Sequence, residues 1–134
     1  MVNPVEFEVR TRARRQFVDI TPQVVEKVQA SGVRSGVCVV YIRHTTAGVT
    51  VNENADPTVA SDILRRLEVL APDDAGYAHL EGNSPAHVMA TLVGSSATIP
   101  VVDGRLALGR WQGVFLAEFD GPRTRKVSVT VVGT

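Results

Sequence analysis

Three histidines, His44, His79 and His87, are the side chains of this sequence best suited to proton transfer or ligand binding near neutral pH. Two of them bracket a polar turn, Glu81-Gly82-Asn83-Ser84-Pro85. Ser84 followed by Pro85 reads as a hydroxyl cap and a first helical residue that needs no N–H. That spacing predicts a helix running to about Val93, with His87 third in its first turn and Gly94 as its stop. Free N–H groups and the positive end of the helix dipole would then favour an anion beside the His87 imidazole. The third ring, His44, ends the apolar run VCVVYIRHTT. Every histidine therefore stands where an ordered element meets a polar loop.

Other polar residues carry two readings each. Glu53 can act as a general base or orient an imidazole, while Asp56, before a proline, is accounted for as a helix cap. Asn52 and Asn83 can donate amide hydrogen bonds to a substrate or serve ordinary turns. Ser95, after the helix-ending glycine, is either a phosphate contact or a strand lead-in. Trp111 and Gln112 are neighbours on a strand and point to opposite faces, Trp111 to the core and Gln112 to a pocket. Arg123 can fork a phosphate or bridge to Asp120 across its turn. Arg10, Arg12, Arg14 and Arg15 form either a solvated hairpin turn or a phosphate site.

The elements that must position these residues follow from periodicity. Val5–Val9 alternates apolar and charged, as a half-buried strand does, and 16–20 reads as a second strand. Thr21-Pro22 opens a helix with Val24, Val25 and Val28 on one face and Gly32 beyond its end. Residues 37–42 are β-branched and apolar, which predicts a central strand buried on both sides. A short strand at Val49 and Val51 follows. Asp56-Pro57 opens a helix carrying Val59, Ile63, Leu64, Leu67 and Leu70 on one side. A polar loop fills 71–84, a length at which loops are often functional. The last third reads as strands: 97–102, the turn Asp103-Gly104, 105–108, then 111–119 with Gly113 as a bulge, and 126–132. Seven or eight strands and three helices in this order predict an α+β fold with mostly antiparallel sheet, in one domain over residues 1–134.

Composition excludes several classes. Lys+Arg and Asp+Glu are both 14, so no basic excess points to nucleic acid or to a membrane surface. No apolar run approaches a bilayer's thickness. The start, MVNPVEFEVRTRARR, lacks the apolar core of a secretion signal. The single cysteine, Cys38, rules out an internal disulfide framework and suits a cytoplasmic location. Strands this apolar leave surface to cover, which favours an oligomer.

Three blocks carry a family resemblance: HTTAGVTVNENADPTVASDI, YAHLEGNSPAHVMATLVGSS and DGRLALGRWQGVFLAEFDGPR. In content and order they resemble the YjbQ family, from about residue 5 to the end of the chain. The resemblance implies an α+β fold with antiparallel sheets, assembled as a homotrimer. It implies a site near His44, His79 and His87 able to hold a divalent metal, zinc first, with magnesium the option for a diphosphate substrate. It also implies a low thiamine-phosphate synthase activity on small phosphorylated substrates. Three imidazoles and an open position would suit a catalytic zinc, which serves hydrolysis as well as transfer. A zinc-dependent hydrolase and a non-catalytic metal- or anion-binding protein are therefore the alternatives. One departure is Arg110, where the family pattern has threonine before Trp111-Gln112.

Overall fold

The computed structural model describes residues 4–134. In chain order its elements are β1 (Val5–Arg10), β2 (Gln16–Asp19), α1 (Thr21–Ser31), β3 (Ser35–Ile42), β4 (Ala47–Glu53) and α2 (Pro57–Leu70), then α3 (Ser84–Val93), β5 (Ser96–Val102), β6 (Arg105–Leu106), β7 (Gln112–Glu118) and β8 (Thr124–Gly133). The fold is α+β and every strand pair is antiparallel.

The strands form two sheets, β1-β8-β3-β5-β6 and β2-β7-β4. Their facing sides make the main core. Val40, Ile42, Ile99, Val127 and Val129 from the larger sheet meet Val49, Val114 and Leu116 from the smaller. Helix α1 closes this core with Val24 and Val28. On the other side of the smaller sheet, Ala117 and Phe119 pack against Leu67 of α2 and Ala86 and Met89 of α3. Strand β7 is thus covered on both faces, which its run of small and apolar residues permits.

Several expectations are corrected. The strand at 37–42 is central but buried on one face only: Cys38, Val40 and Ile42 point inward, while Val37 and Tyr41 are exposed. Among the described residues no layer covers that side of the larger sheet, so its apolar run resembles a doubly buried strand without being one. The arginine-rich stretch 10–15 does not close a hairpin. β1 pairs with β8 and β2 with β7, so the chain crosses between sheets there. Arg14 and Arg15 reach across to Asp73, and Arg15 also to Glu68, pinning the loop after α2. Gly113 makes no bulge. It pairs regularly with Asn52, and a Cβ there would meet the Asn54 side chain at 2.5 Å. Trp111 is exposed rather than core, with the Arg110 guanidinium 4.8 Å above its ring. The Asp103-Gly104 turn is as expected, both residues having positive φ (52° and 78°), as a tight hairpin between β5 and β6 requires.

Candidate functional site

The three histidines line one cleft of about 460 Å³, at the end of the sandwich where β3 passes into β4 and β7 into β8. Each arrives by a different local cause. β3 ends at Ile42, and the turn Arg43–Thr46 carries His44 before β4 begins at Ala47. The His44 ring lies beside β8, where its Nε2 accepts the Lys126 N–H at 2.9 Å. His87 lies in the first turn of α3, which packs on β4. The approach is close enough that a Cβ on Gly48 would meet the Gly94 carbonyl at 2.5 Å. His79 comes from the loop before α3 and meets His87 edge-on, with ring centres 5.5 Å apart.

Helix α3 begins one residue earlier than the sequence suggests. Asn83 is the N-cap, its side chain makes no cap bond, and Ser84 and Pro85 open the helix. The N–H groups of Ala86 and His87 already bond the Asn83 carbonyl, at 3.0 and 3.4 Å. The helix start therefore offers an anion fewer free donors than expected.

Beneath the cleft lies a buried ion pair. Glu118 and Arg125 are almost wholly inaccessible, with Arg125 Nε 2.9 Å from Glu118 Oε1. Arg125 also donates to the Thr46 hydroxyl (2.8 Å) and carbonyl (3.2 Å). Glu118 accepts from the Thr11 hydroxyl (2.7 Å) and the Asp120 N–H (3.0 Å). The pair thus ties the residue two after His44 to the start of the 120–123 turn. Burial alone would push the Glu118 carboxyl up. Its bonds from Arg125, Asp120 and Thr11 outweigh this and hold it below its ordinary value.

Around the rim, Asp120 accepts from Arg123 Nη2 (2.9 Å) and from Asn83 Nδ2 (3.1 Å). Asn83 Oδ1 is buried without a partner among the described residues. Arg123 Nε bonds the Asp120 carbonyl at 2.6 Å, so its fork is half used by the protein. Arg43 and Glu81 complete the rim. His44 is pushed below the usual histidine value, first by burial and then by the Arg125 charge, with Arg123 and Lys126 adding to it and Glu118 opposing. A neighbouring lobe of about 410 Å³ runs from His44 and His87 to Thr91 and Ser95.

Of the candidate residues, His44, His79, His87, Asn83 and Arg123 thus share one cleft, and Ser95 borders the adjoining lobe. Asn52, Glu53 and Gln112 do not join them within the chain. In the β4–β7 ladder Ala47 pairs with Glu118 beside the cleft, whereas Glu53 pairs with Gln112 at the far end. Seven residues of strand separate the ends by roughly 20 Å. At that far end Glu53 accepts the Ala55 N–H at 2.9 Å, and Gln112 accepts the Gly109 N–H at 2.7 Å. Asp56 caps α2 by accepting the Thr58 N–H at 2.9 Å. Nearness in sequence to His44 was misleading because a strand leads directly away from it. The residues that sequence reasoning missed are Arg43, Glu81, Thr46 and the Glu118–Arg125 pair. The one available signal was Glu118, a lone charge inside the apolar strand VFLAEF; Arg125 stands among other basic residues in RTRKVSV and gave none.

A zinc ion on three histidines does not fit these side chains as placed. Rings sharing one tetrahedral ion have centres roughly 5 Å apart, which His79 and His87 approach. His44, however, has Nε2 committed to Lys126. Among the described residues no three His, Cys, Asp or Glu side chains are placed to hold one metal ion. The cleft's two carboxylates, Glu81 and Asp120, do not make a magnesium–diphosphate cluster either, since Asp120 is engaged by Arg123 and Asn83.

Comparison with known proteins decides the family. A family model described as UPF0047 protein YjbQ-like matches residues 5–134. The chain belongs to the YjbQ/UPF0047 family. A UPF0047 protein of Methanocaldococcus jannaschii is 48% identical over 128 residues, covering 96% of this chain and 93% of that one. YugU of Bacillus subtilis is 44% identical over 128 residues, covering 95% of this chain and 97% of its own. Among crystal structures, a YjbQ/UPF0047 protein of Clostridium acetobutylicum superposes with TM-score 0.94 at 50% identity, over 96% of this chain and 99% of that chain. A protein of unknown function from Sulfolobus solfataricus superposes with TM-score 0.95 at 34% identity, over 100% of this chain and 99% of its own. The YjbQ-like cleft is thus set in a fold shared with bacterial and archaeal relatives.

Proposed function

We propose that this YjbQ-family chain binds a phosphorylated small molecule in the histidine–arginine cleft and acts on it there. The observation that supports this is the meeting of His44, His79 and His87 with Arg43 and Arg123 around one opening of small-molecule size. Arg123 spends Nε and Nη2 on Asp120, which leaves Nη1 for a ligand oxygen. Arg43, paired only loosely with Glu6 at 3.5 Å, adds a second positive charge at the rim.

The reaction class that the sequence resemblance implies is thiamine-phosphate synthase-like transfer. A pyrimidine diphosphate is joined to a thiazole phosphate, giving thiamine phosphate and pyrophosphate. In that reading the two arginines neutralise the departing pyrophosphate, and positioning supplies most of the rate. Among the described residues no dense carboxylate cluster is present to hold magnesium on the diphosphate, so slow turnover is expected. The same lack favours the second reading, hydrolysis or plain binding of a simpler phosphate.

Calorimetry with inorganic phosphate and with pyrophosphate tests the binding claim. Wild type should bind at least one. His87→Ala should bind at least tenfold more weakly, as loss of a hydrogen bond to a charged group implies. Equal binding by the two proteins excludes the cleft as the phosphate site. A steady-state assay with both thiamine precursors then separates transfer from the simpler readings, and metal analysis before and after His79→Ala tests the zinc expectation.

The homotrimer implied by the resemblance belongs to the same proposal. Support comes from the uncovered side of the larger sheet, where Val37, Tyr41, Val102 and Val132 are exposed.

A further inference from the structure

The geometry points to His44 as a fixed hydrogen-bond donor, through Nδ1–H, to an anionic oxygen of the cleft's ligand rather than as a metal ligand. This rests on the phosphate-binding reading given above and assigns one group its part in it.

β8 pairs with β1 along one edge and with β3 along the other, but β3 stops pairing at Ile42, opposite Val127. The next residue of β8, Lys126, has an N–H directed to where β3 has already turned away. The His44 ring, two residues past the end of β3, fills that place and accepts at Nε2, 2.9 Å from the nitrogen. A ring nitrogen that accepts carries no proton. In a neutral imidazole the proton is then on Nδ1, and the tautomer is set by the backbone of another strand.

The consequence for chemistry is direct. Nδ1–H is a donor, and a metal would need that same nitrogen stripped of its proton. The neighbours suit a donor's partner better than a cation: Arg43, Arg123 and Arg125 all line the same cleft. An oxygen of a bound phosphate placed there would accept from His44 Nδ1–H and from an arginine fork together. The backbone bond to Lys126 fixes the ring before the ligand arrives, so this donor needs no reorganisation on binding.

The test is a long-range ¹H–¹⁵N correlation spectrum of the ¹⁵N-labelled full chain, with His44 assigned from the signals lost in His44→Gln. The expected result is a protonated Nδ1 and an unprotonated Nε2 in the free protein. His44 should keep its Nδ1 proton when zinc is added alone, whatever happens to His79 and His87. The alternative neutral tautomer, an imidazolium, or loss of the Nδ1 proton on adding zinc overturns the assignment. Two variants complete the test with inorganic phosphate as probe. His44→Asn keeps an amide donor near the Nδ1 position and should bind within about threefold of wild type. His44→Gln keeps an acceptor towards Lys126 but loses the donor, and should bind roughly tenfold more weakly. Phosphate bound equally by His44→Gln and wild type overturns the donor role while leaving the cleft intact. No phosphate binding by wild type overturns both the role and the reading it rests on.

Discussion

Glu118 and Arg125 are the pair on which the cleft's floor depends, and their chemistry can be checked without knowing the substrate. Two charges removed from water are tolerated here because nearly every lone pair and proton has a partner: Thr11, Thr46 and the Asp120 N–H surround them. Removing one partner strands the other. Glu118→Ala is expected to destabilise the fold by about 3–5 kcal/mol in urea denaturation, because Arg125 is left buried and unpaired. Replacing both residues by apolar ones of similar size should recover much of that loss. The pH dependence follows from the direction of the Glu118 shift. Its carboxyl is held below the ordinary glutamate value, so the unfolded chain takes up protons first as the pH falls. The pair's contribution is therefore full above the ordinary value and drains away on acidification below it. Wild type should lose stability along that slope, and the doubly apolar variant should show a shallower one. Identical acid slopes in the two proteins would mean that Glu118 is not held low.

At the scale of elements, the cleft exists because α3 is held tightly to β4. Val49 donates to the Gly94 carbonyl at 3.1 Å, Ile42 donates to the Ser95 carbonyl at 2.8 Å, and Met89 is fully buried beneath the helix. Gly48 is the residue that lets the helix end approach. Adding a Cβ puts it 2.5 Å from the Gly94 backbone oxygen and 3.2 Å from a Val93 methyl, so the helix must shift. Gly48→Ala is expected to destabilise by roughly 1–3 kcal/mol, as overpacking generally does. It should also weaken phosphate binding, because His87 stands on α3 and His44 on the turn leading into β4, the two elements being pushed apart. A variant destabilised yet binding phosphate as wild type does would show that this contact supports the fold alone. The elements themselves were largely legible in the sequence. Proline after a polar residue marked the start of all three helices to within a residue, and alternation, apolar runs and turn residues together marked the strands. What no local pattern carries is which sheet a strand joins. β1 and β2 are neighbours in sequence but belong to different sheets, as do β7 and β8. Nor does a local pattern say how far a strand carries its end from its start, and Glu53 was drawn towards the histidines by its nearness in sequence to His44. A seven-residue strand is a direction as well as a label, and it carried that residue to the opposite end of the ladder. The histidines were legible as candidates because each falls at an element boundary. The buried pair was not, since a charge within an apolar strand gives no hint of its partner from another strand.

For the molecule as a whole, the uneven covering of its two sheets is the feature with the largest consequence. The smaller sheet has the core on one side and α2 and α3 on the other. The larger sheet has the core on one side and, among the described residues, no element on the other. Tyr41 is 45% exposed there, Val132 46% and Val102 55%, and pairing brings Val37 opposite both Val132 and Pro100. Contiguous exposed apolar side chains on a flat sheet favour a partner, and the homotrimer proposed above supplies one from the chain itself. Such a partner stabilises by mass action, so the melting temperature of wild type should rise with protein concentration. The double variant Tyr41→Lys with Val132→Lys places charge on the exposed side only, away from the inward-facing Cys38, Val40 and Val131. It should elute at the mass of a single chain in size exclusion with light scattering and melt at a temperature independent of concentration. Wild type should run at three times that mass. A wild-type chain that runs as a monomer at every concentration removes the assembly, and the exposed side of the larger sheet then needs another occupant. The folded monomer of the double variant also allows phosphate binding to be compared in the two states. Equal affinity in monomer and trimer would place the whole binding site within one chain, as the meeting of three histidines and two rim arginines in one cleft leads us to expect.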